Sequence, residues 1–310
     1  MANCPMIDPE AVTGRVFGKH NCPGHPESQE RLETAVRGIP PYIGIREPVP
    51  AGIEDLLRVH DEEYLHMLEE RALACQPGRC CYLDPDTYVN SCSYETAFLA
   101  AGATMMAVDR ALTGVPCFAL VRPPGHHAGR NYAKGFCIVN NAAVGASYAL
   151  LHCDRVAIVD WDVHHGNGTQ DIFYDNDKVF YCSVHQSPLF PGTGWPHEIG
   201  IKAGEGYNLN IPLPAGSGIR EYRMAFEKKL LPELNRFSPD ILIVSAGQDP
   251  LSDDPLGGMN LKPADFGEMT RMINNCSAAA PALVLEGGYG PSHGEAVTRI
   301  FQSLKEHEVP

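Results

Sequence analysis

Asp162 and His164 stand two residues apart in the run Asp160-Trp161-Asp162-Val163-His164-His165-Gly166-Asn167. On extended backbone such residues project to the same side. A carboxylate and an imidazole on one side supply two of the three protein ligands of a catalytic metal site, which keeps a further position for water or substrate. A lone Asp-x-His would more often be a helix cap beside a packed turn. Here Asp249 follows another apolar run, with Ser245-Ala246-Gly247-Gln248 before it, and is the natural third ligand. Two carboxylates and one imidazole suit zinc and also iron(II).

The adjacent pair His126-His127 needs partners, because buried ring nitrogens left without them are costly. Asp160 and Asn167 flank the metal-ligand segment and can each take one imidazole N–H, which fixes tautomer and basicity. Tyr289 follows a Gly-Gly turn and can donate to a tetrahedral oxyanion. Together these groups can polarise a carbonyl, deprotonate a bound water and protonate a leaving nitrogen.

The elements that must position them follow from pattern. Short apolar runs at 117–121, 156–159, 179–183, 241–244 and 282–285 predict buried strands. Helical patterns at 53–73, 93–113, 138–151, 221–234, 264–275 and 295–304 precede or alternate with them. Buried strands alternating with helices predict an α/β domain with a mostly parallel sheet flanked by helices. In such sheets ligands bind outside the carboxyl ends of the strands. Arg122-Pro-Pro-Gly-His-His, Asp160–Asn167, Ser245–Asp249 and Glu286-Gly-Gly-Tyr each follow one of these runs.

Composition bounds the rest. The 310 residues carry a formal net charge of −14, which argues against binding a nucleic-acid backbone. No run approaches the length of a membrane span, and the start has no basic flank before an apolar stretch. The chain shows no repeat or linker, so a single domain over 1–310 is expected. Its 11 cysteines are odd in number and scattered, and read as reduced thiols of a cytoplasmic protein, with Cys117, Cys137, Cys153 and Cys182 buried. Cys75, Cys80 and Cys81 read as loop thiols. His20-Asn-Cys22-Pro-Gly-His25 offers metal donors, but no partner pair follows at finger spacing. Oligomeric state has no signature in the sequence.

RPPGHHAG (122–129), GFCIVNN (135–141), VDWDVHHGNGT (159–169), FPGTG (190–194), SAGQDPLSDDPLGG (245–258) and LEGGYG (285–290) resemble the metal-dependent histone deacetylase superfamily. The DWDVHHGNG form is similar to its class II branch. HPESQERL (25–32) and DPDTYVNSCSYETAFLAAG (84–102) extend the resemblance from about residue 15 to 300.

The resemblance implies a single arginase-like α/β domain. It implies zinc on Asp162, His164 and Asp249, with His127 as general base and then acid. His126 becomes an electrostatic partner paired with Asp160, and Tyr289 the oxyanion donor. Gly135 and Phe136 form one wall of an acyl-lysine tunnel and Phe190 the other, with Leu256 at the rim and Asp86 reaching the substrate backbone. Potassium is implied on Asp160 and Ser183 with the backbone carbonyls of Asp162, His164 and Val184, and a second monovalent ion near Phe173, Asn176, Val179 and Tyr207. The expected substrate is an acyl-lysine protein or peptide. An acetylated polyamine and a non-catalytic acyl-lysine reader are the rival readings.

Some positions depart from the family pattern. Asn167 stands where class I members have aspartate, so His127's partner is neutral. Gln248 and Pro250 flank Asp249 where Phe and Ala or Ser are usual. Apolar Leu256 gives no carboxylate for a polyamine's distant ammonium.

Overall fold

The structure, a computed structural model, describes residues 8–274 and 280–305. In chain order the strands are β1 (Glu10–Val12), β2 (Gly44–Arg46), β3 (Cys81–Tyr82), β4 (Tyr88–Val89), β5 (Cys117–Ala119), β6 (Val156–Asp160), β7 (Val179–Gln186), β8 (Asn208–Leu213), β9 (Ile241–Ser245) and β10 (Pro281–Val284). The α-helices are α1 (Gln29–Arg37), α2 (Ile53–Leu57), α3 (Glu62–Ala74), α4 (Ser93–Leu112), α5 (Asn141–Ala149), α6 (Asn167–Phe173), α7 (Ile219–Ala225), α8 (Leu231–Phe237), α9 (Pro263–Asn274) and α10 (His293–Lys305).

Eight strands form one sheet in the order β2-β1-β5-β10-β9-β6-β7-β8, and every pairing in it is parallel. Strands β5, β6, β7, β9 and β10 are buried along their whole length, as a sheet covered on both faces requires. The expected α/β architecture is therefore present, with a sheet that is wholly rather than mostly parallel.

Register places the chemistry. Asp160 pairs with Ser183 on one side and Ser245 on the other, Ser245 with Val284, and Val284 with Ala119. These five residues stand in one row across the sheet, so the segments that follow them emerge side by side. The Asn140-Asn141 pair ties one of these segments down. Asn140 caps α5 by accepting from Ala143 N–H at 2.9 Å and donates to the Ala128 carbonyl at 3.0 Å, while Asn141 donates to the Pro123 carbonyl at 3.0 Å.

The sequence expectations are corrected in several places. The helical pattern at 53–73 is two helices, broken where buried His60 accepts from Asn140 N–H and Asp61 N–H bonds to the Arg130 carbonyl. The pattern at 221–234 contains a π-turn, Phe226–Leu230, between α7 and α8. Residue 275, the expected end of another helix, lies outside the described residues.

The four cysteines Cys22, Cys75, Cys80 and Cys81 are not reduced thiols. Cys22 pairs with Cys80 and Cys75 with Cys81, because the fold brings their Cα atoms to 6.0 and 6.2 Å. Cys117, Cys137, Cys153 and Cys182 are unpaired as expected, although Cys153 is only half-buried. The His20–His25 segment does not gather donors for a metal. His20 bonds to Ser93 Oγ at 2.7 Å, Cys22 is in a disulfide, and His25 bonds to the Asp86 carbonyl at 3.0 Å.

That segment has a different task. Glu27 and Arg122 are fully buried, and the guanidinium grips both carboxylate oxygens at 2.7 Å. Arg122 also donates to the carbonyls of Phe17, His20 and Glu27, and so pins the loop before α1 against the strand end that carries His126. Burial alone would raise the Glu27 carboxyl, but the charge of Arg122 and the bond to His20 hold it well below the carboxylate range.

Removing one partner of a buried pair leaves the other charge uncompensated, so Glu27→Gln is expected to cost about 3–5 kcal/mol at neutral pH. A group whose pKa is depressed by folding stabilises above its unfolded value, about 4.3, and loses that contribution as pH falls. The variant should therefore lose less stability than the parent between about pH 4.3 and lower values, as read by urea unfolding across pH.

Candidate active site

Asp162, His164 and Asp249 are brought together. Asp162 and Asp249 are fully buried, and His164 Nδ1 lies 3.1 Å from Asp162 Oδ1 and 3.1 Å from Asp249 Oδ2. One ring nitrogen carries at most one hydrogen, yet it faces two carboxylates. Ligand atoms of all three residues lie within 4.8 Å of one another.

The outer oxygens are held by backbone. Val163 N–H donates to Asp249 Oδ1 at 2.8 Å and Gly287 N–H to Asp162 Oδ2 at 2.7 Å. Burial, and then the charge of Asp162, push Asp249 up to about 7. Two buried carboxylates held this close call for positive charge between them, so the donor set fits a divalent ion.

Gly287 is a condition of this geometry. A Cβ there would fall within contact distance of Asp249 Oδ2 and Asp162 Oδ2. Gly287→Ala is therefore expected to weaken zinc affinity by about 10–100-fold or more, the range for disturbing groups that orient metal ligands. Competition against a zinc-responsive dye measures this without any substrate.

The two histidines take different partners. His126 Nδ1 meets Asp160 Oδ2 at 3.0 Å, and His127 Nδ1 meets Asn167 Oδ1 at 2.8 Å. The rings lie 4.0 Å apart between centroids. Burial works against the imidazolium at both, but Asp162 and Asp160 overcome it at His126 and raise its pKa well above normal. At His127 burial and the neighbouring charges of His126 and His164 act together and hold it well below normal. The two neighbouring rings are thus shifted in opposite directions, His126 up and His127 down.

Further anchors were not named from the sequence. Glu286 accepts from Gly125 N–H at 2.7 Å and His126 N–H at 3.0 Å, which holds the loop carrying both histidines. Asp254 accepts the N–H groups of Tyr289 and Gly290. Arg31 donates to the Gly288 carbonyl at 2.8 Å and lies 4.8 Å over the Tyr289 ring. Tyr181 hydroxyl lies 3.0 Å from Asp160 Oδ2. These act through backbone or from distant segments; Arg31 in HPESQERL, Asp254 in SAGQDPLSDDPLGG and Glu286 in LEGGYG fall within the motifs quoted above, whose pattern does not reveal these contacts.

The cavity at this centre measures about 250 Å³. Asp86, Gly135, Phe136, Phe190, Leu256 and Tyr289 all line it together with the histidines and the metal-site trio. Phe190 stands 5.1 Å from His127, and Phe136 stands 5.9 Å from Tyr289. Gly135 and Phe136 both have positive φ, 54° and 70°. The strained Phe136 is held by its N–H donating to Thr87 Oγ1 at 3.0 Å, which links the wall to the loop bearing Asp86.

Of the positions expected to bind monovalent ions, Asp160 and Ser183 are register partners, and Ser183 Oγ bonds to His185 Nδ1 at 2.9 Å. Phe173, Asn176, Val179 and Tyr207 lie around the amino-terminal ends of β7 and β8, where Tyr181 N–H bonds to the Tyr207 carbonyl at 2.9 Å. No described helix is long and apolar enough to cross a membrane.

The chain is similar to known proteins over nearly its whole length. It is 41% identical over 299 residues to a probable deacetylase of Archaeoglobus fulgidus, covering 90% of this chain and 81% of that one. It is 40% identical over 302 residues to a histone deacetylase-like amidohydrolase of Pseudomonas aeruginosa, covering 92% and 78%. The crystal structure of the HDA15 HD domain superposes with a TM-score of 0.92 at 34% identity, covering 98% of this chain and 90% of that one. Residues 25–304 match the histone deacetylase domain. With the strand-end arrangement, this makes the chain a member of the histone deacetylase family.

Proposed function

We propose that this protein is a metal-dependent lysine deacylase, which hydrolyses the side-chain amide of acetyl-lysine or another acyl-lysine in a protein or peptide. The observation that carries the reading is the convergence of Asp162, His164 and Asp249 on one point of a phenylalanine-walled cavity, beside His127. Zinc or iron(II), when bound by these three residues, supplies Lewis-acid polarisation of the amide carbonyl and an acidified water.

The remaining work falls to the chain itself. His127 has its Nδ1 committed to Asn167, which leaves Nε2 to take a proton from the attacking water and deliver it to the departing amine. His126, paired with Asp160, keeps a positive charge beside the reacting centre. Tyr289, its hydroxyl kept protonated first by burial, donates to the developing oxyanion. Phe136 and Phe190 exclude water around the aliphatic lysine stem. Asp86 at the mouth accepts from substrate backbone N–H, and apolar Leu256 offers nothing to a polyamine ammonium. Asp160 and Ser183, with the carbonyls of Asp162, His164 and Val184, would hold potassium.

The test is a panel of acyl-lysine peptides and acetylpolyamines, assayed with and without chelator. Chelator-sensitive cleavage of at least one acyl-lysine peptide is expected. Cleavage of polyamines alone would move the substrate to a small amine. A metal-loaded protein that cleaves nothing in the panel would leave a non-catalytic reader.

A further inference from the structure

The hydrogen bond between His127 and Asn167 poses a problem that an aspartate would not. A carboxylate accepts at both oxygens, whereas an amide accepts at one end and donates at the other. Only the oxygen end of Asn167 can receive His127 Nδ1–H and so reserve Nε2 for the proton transfer. Something must decide which end faces the histidine.

Asn167 and Asp171 are four residues apart on α6, on the same face of the helix. Tyr132 bridges them. Its hydroxyl donates to Asp171 Oδ2 at 2.6 Å, and Asn167 Nδ2 donates to the same hydroxyl oxygen at 3.1 Å. The carboxylate has no proton to give, so it takes the tyrosine's. The tyrosine oxygen then faces Asn167 as an acceptor, which draws the amide NH₂ to its own side and turns the amide oxygen to His127 at 2.8 Å.

The bridge is built into the loop. Gly129 N–H bonds to the Tyr132 carbonyl at 3.0 Å, and the tyrosine ring lies so close over Gly129 that a Cβ there would collide with it. Burial, reinforced by Asp171, raises the Tyr132 hydroxyl above its ordinary pKa, so it keeps its proton in the pH range of assay.

We infer that Tyr132 and Asp171 are positioning residues: through an ordered line of hydrogen bonds they fix the amide orientation of Asn167 and thereby the tautomer of His127. The inference rests on the deacylase reading above. It extends the proton machinery about one helical turn beyond the residues that touch the reacting atoms.

The test is a double-mutant cycle on the zinc-loaded protein with an acetyl-lysine peptide. Tyr132→Phe keeps the ring but frees the amide to turn; kcat is expected to fall about tenfold with KM unchanged. In an Asn167→Asp background both ends of residue 167 accept, so Tyr132→Phe should change kcat less than twofold. Imidazole ¹⁵N NMR of the same proteins should show a single Nδ1–H tautomer for His127 in the parent and a mixture in Tyr132→Phe.

Asp171→Asn, which keeps an acceptor for the tyrosine, should retain more activity than Asp171→Leu. Equal losses from Tyr132→Phe in both backgrounds, or no loss in either, would overturn the inference. A parent protein inactive on every acyl-lysine peptide would instead overturn the deacylase reading, and the NMR comparison would still decide the tautomer.

Discussion

Replacing His127 with alanine is expected to lower turnover on an acetyl-lysine peptide by about two to four orders of magnitude, the contribution of a positioned general acid–base. Burial holds His127 below the ordinary histidine pKa, and its Nδ1 is already bound to Asn167. It is not among the residues that converge on the metal position. Zinc affinity should therefore stay within a few-fold of the parent while kcat collapses, and KM should move little. Measuring kcat and zinc affinity on the same preparation separates a lost proton carrier from a damaged metal centre. Loss of both together would mean that the side chain acts through the fold.

Tyr289→Phe is expected to lower kcat by about 10²–10³-fold, equivalent to about 2.7–4 kcal/mol of transition-state stabilisation. The ring is held from three sides: Arg31 lies 4.8 Å over it, Phe136 stands 5.9 Å away edge-on, and Asp254 grips its backbone N–H. Phenylalanine keeps all three contacts and loses only the hydroxyl. Thermal stability should be unchanged, and the loss should fall on kcat because the oxyanion exists only in the transition state. A change confined to KM would assign the hydroxyl to ground-state binding.

The candidate site residues were legible because they sit in short contiguous segments directly after buried apolar strands. Asp162 and His164 share one such segment, and the row Ala119, Asp160, Ser183, Ser245 and Val284 turns four of the segments toward one centre. Strand β8 was not legible. Its alternating Asn208 and Asn210 face a buried polar network on Gln170 rather than an apolar core, so it has no hydrophobic run.

The supporting residues were hidden for a related reason. Glu286 reaches Gly125 across 161 positions and Asp254 reaches Tyr289 across 35, each through backbone N–H groups that leave no sequence signature. The disulfide Cys22–Cys80 spans 58 residues, and cysteine count alone does not reveal such a pairing. Tyr132 and Asp171 each look like ordinary polar surface positions. Their role emerges only from the proton count along the line from Asp171 to His127.

The most direct measurement is a zinc titration of the metal-stripped protein, followed by release of free lysine amine from an acetyl-lysine peptide. If Asp162, His164 and Asp249 hold one catalytic ion, the stripped protein is inactive and activity rises linearly to a plateau at one equivalent, while Asp249→Ala shows no such rise. Full activity before any metal is added, or a rise in Asp249→Ala matching the parent, would contradict the account.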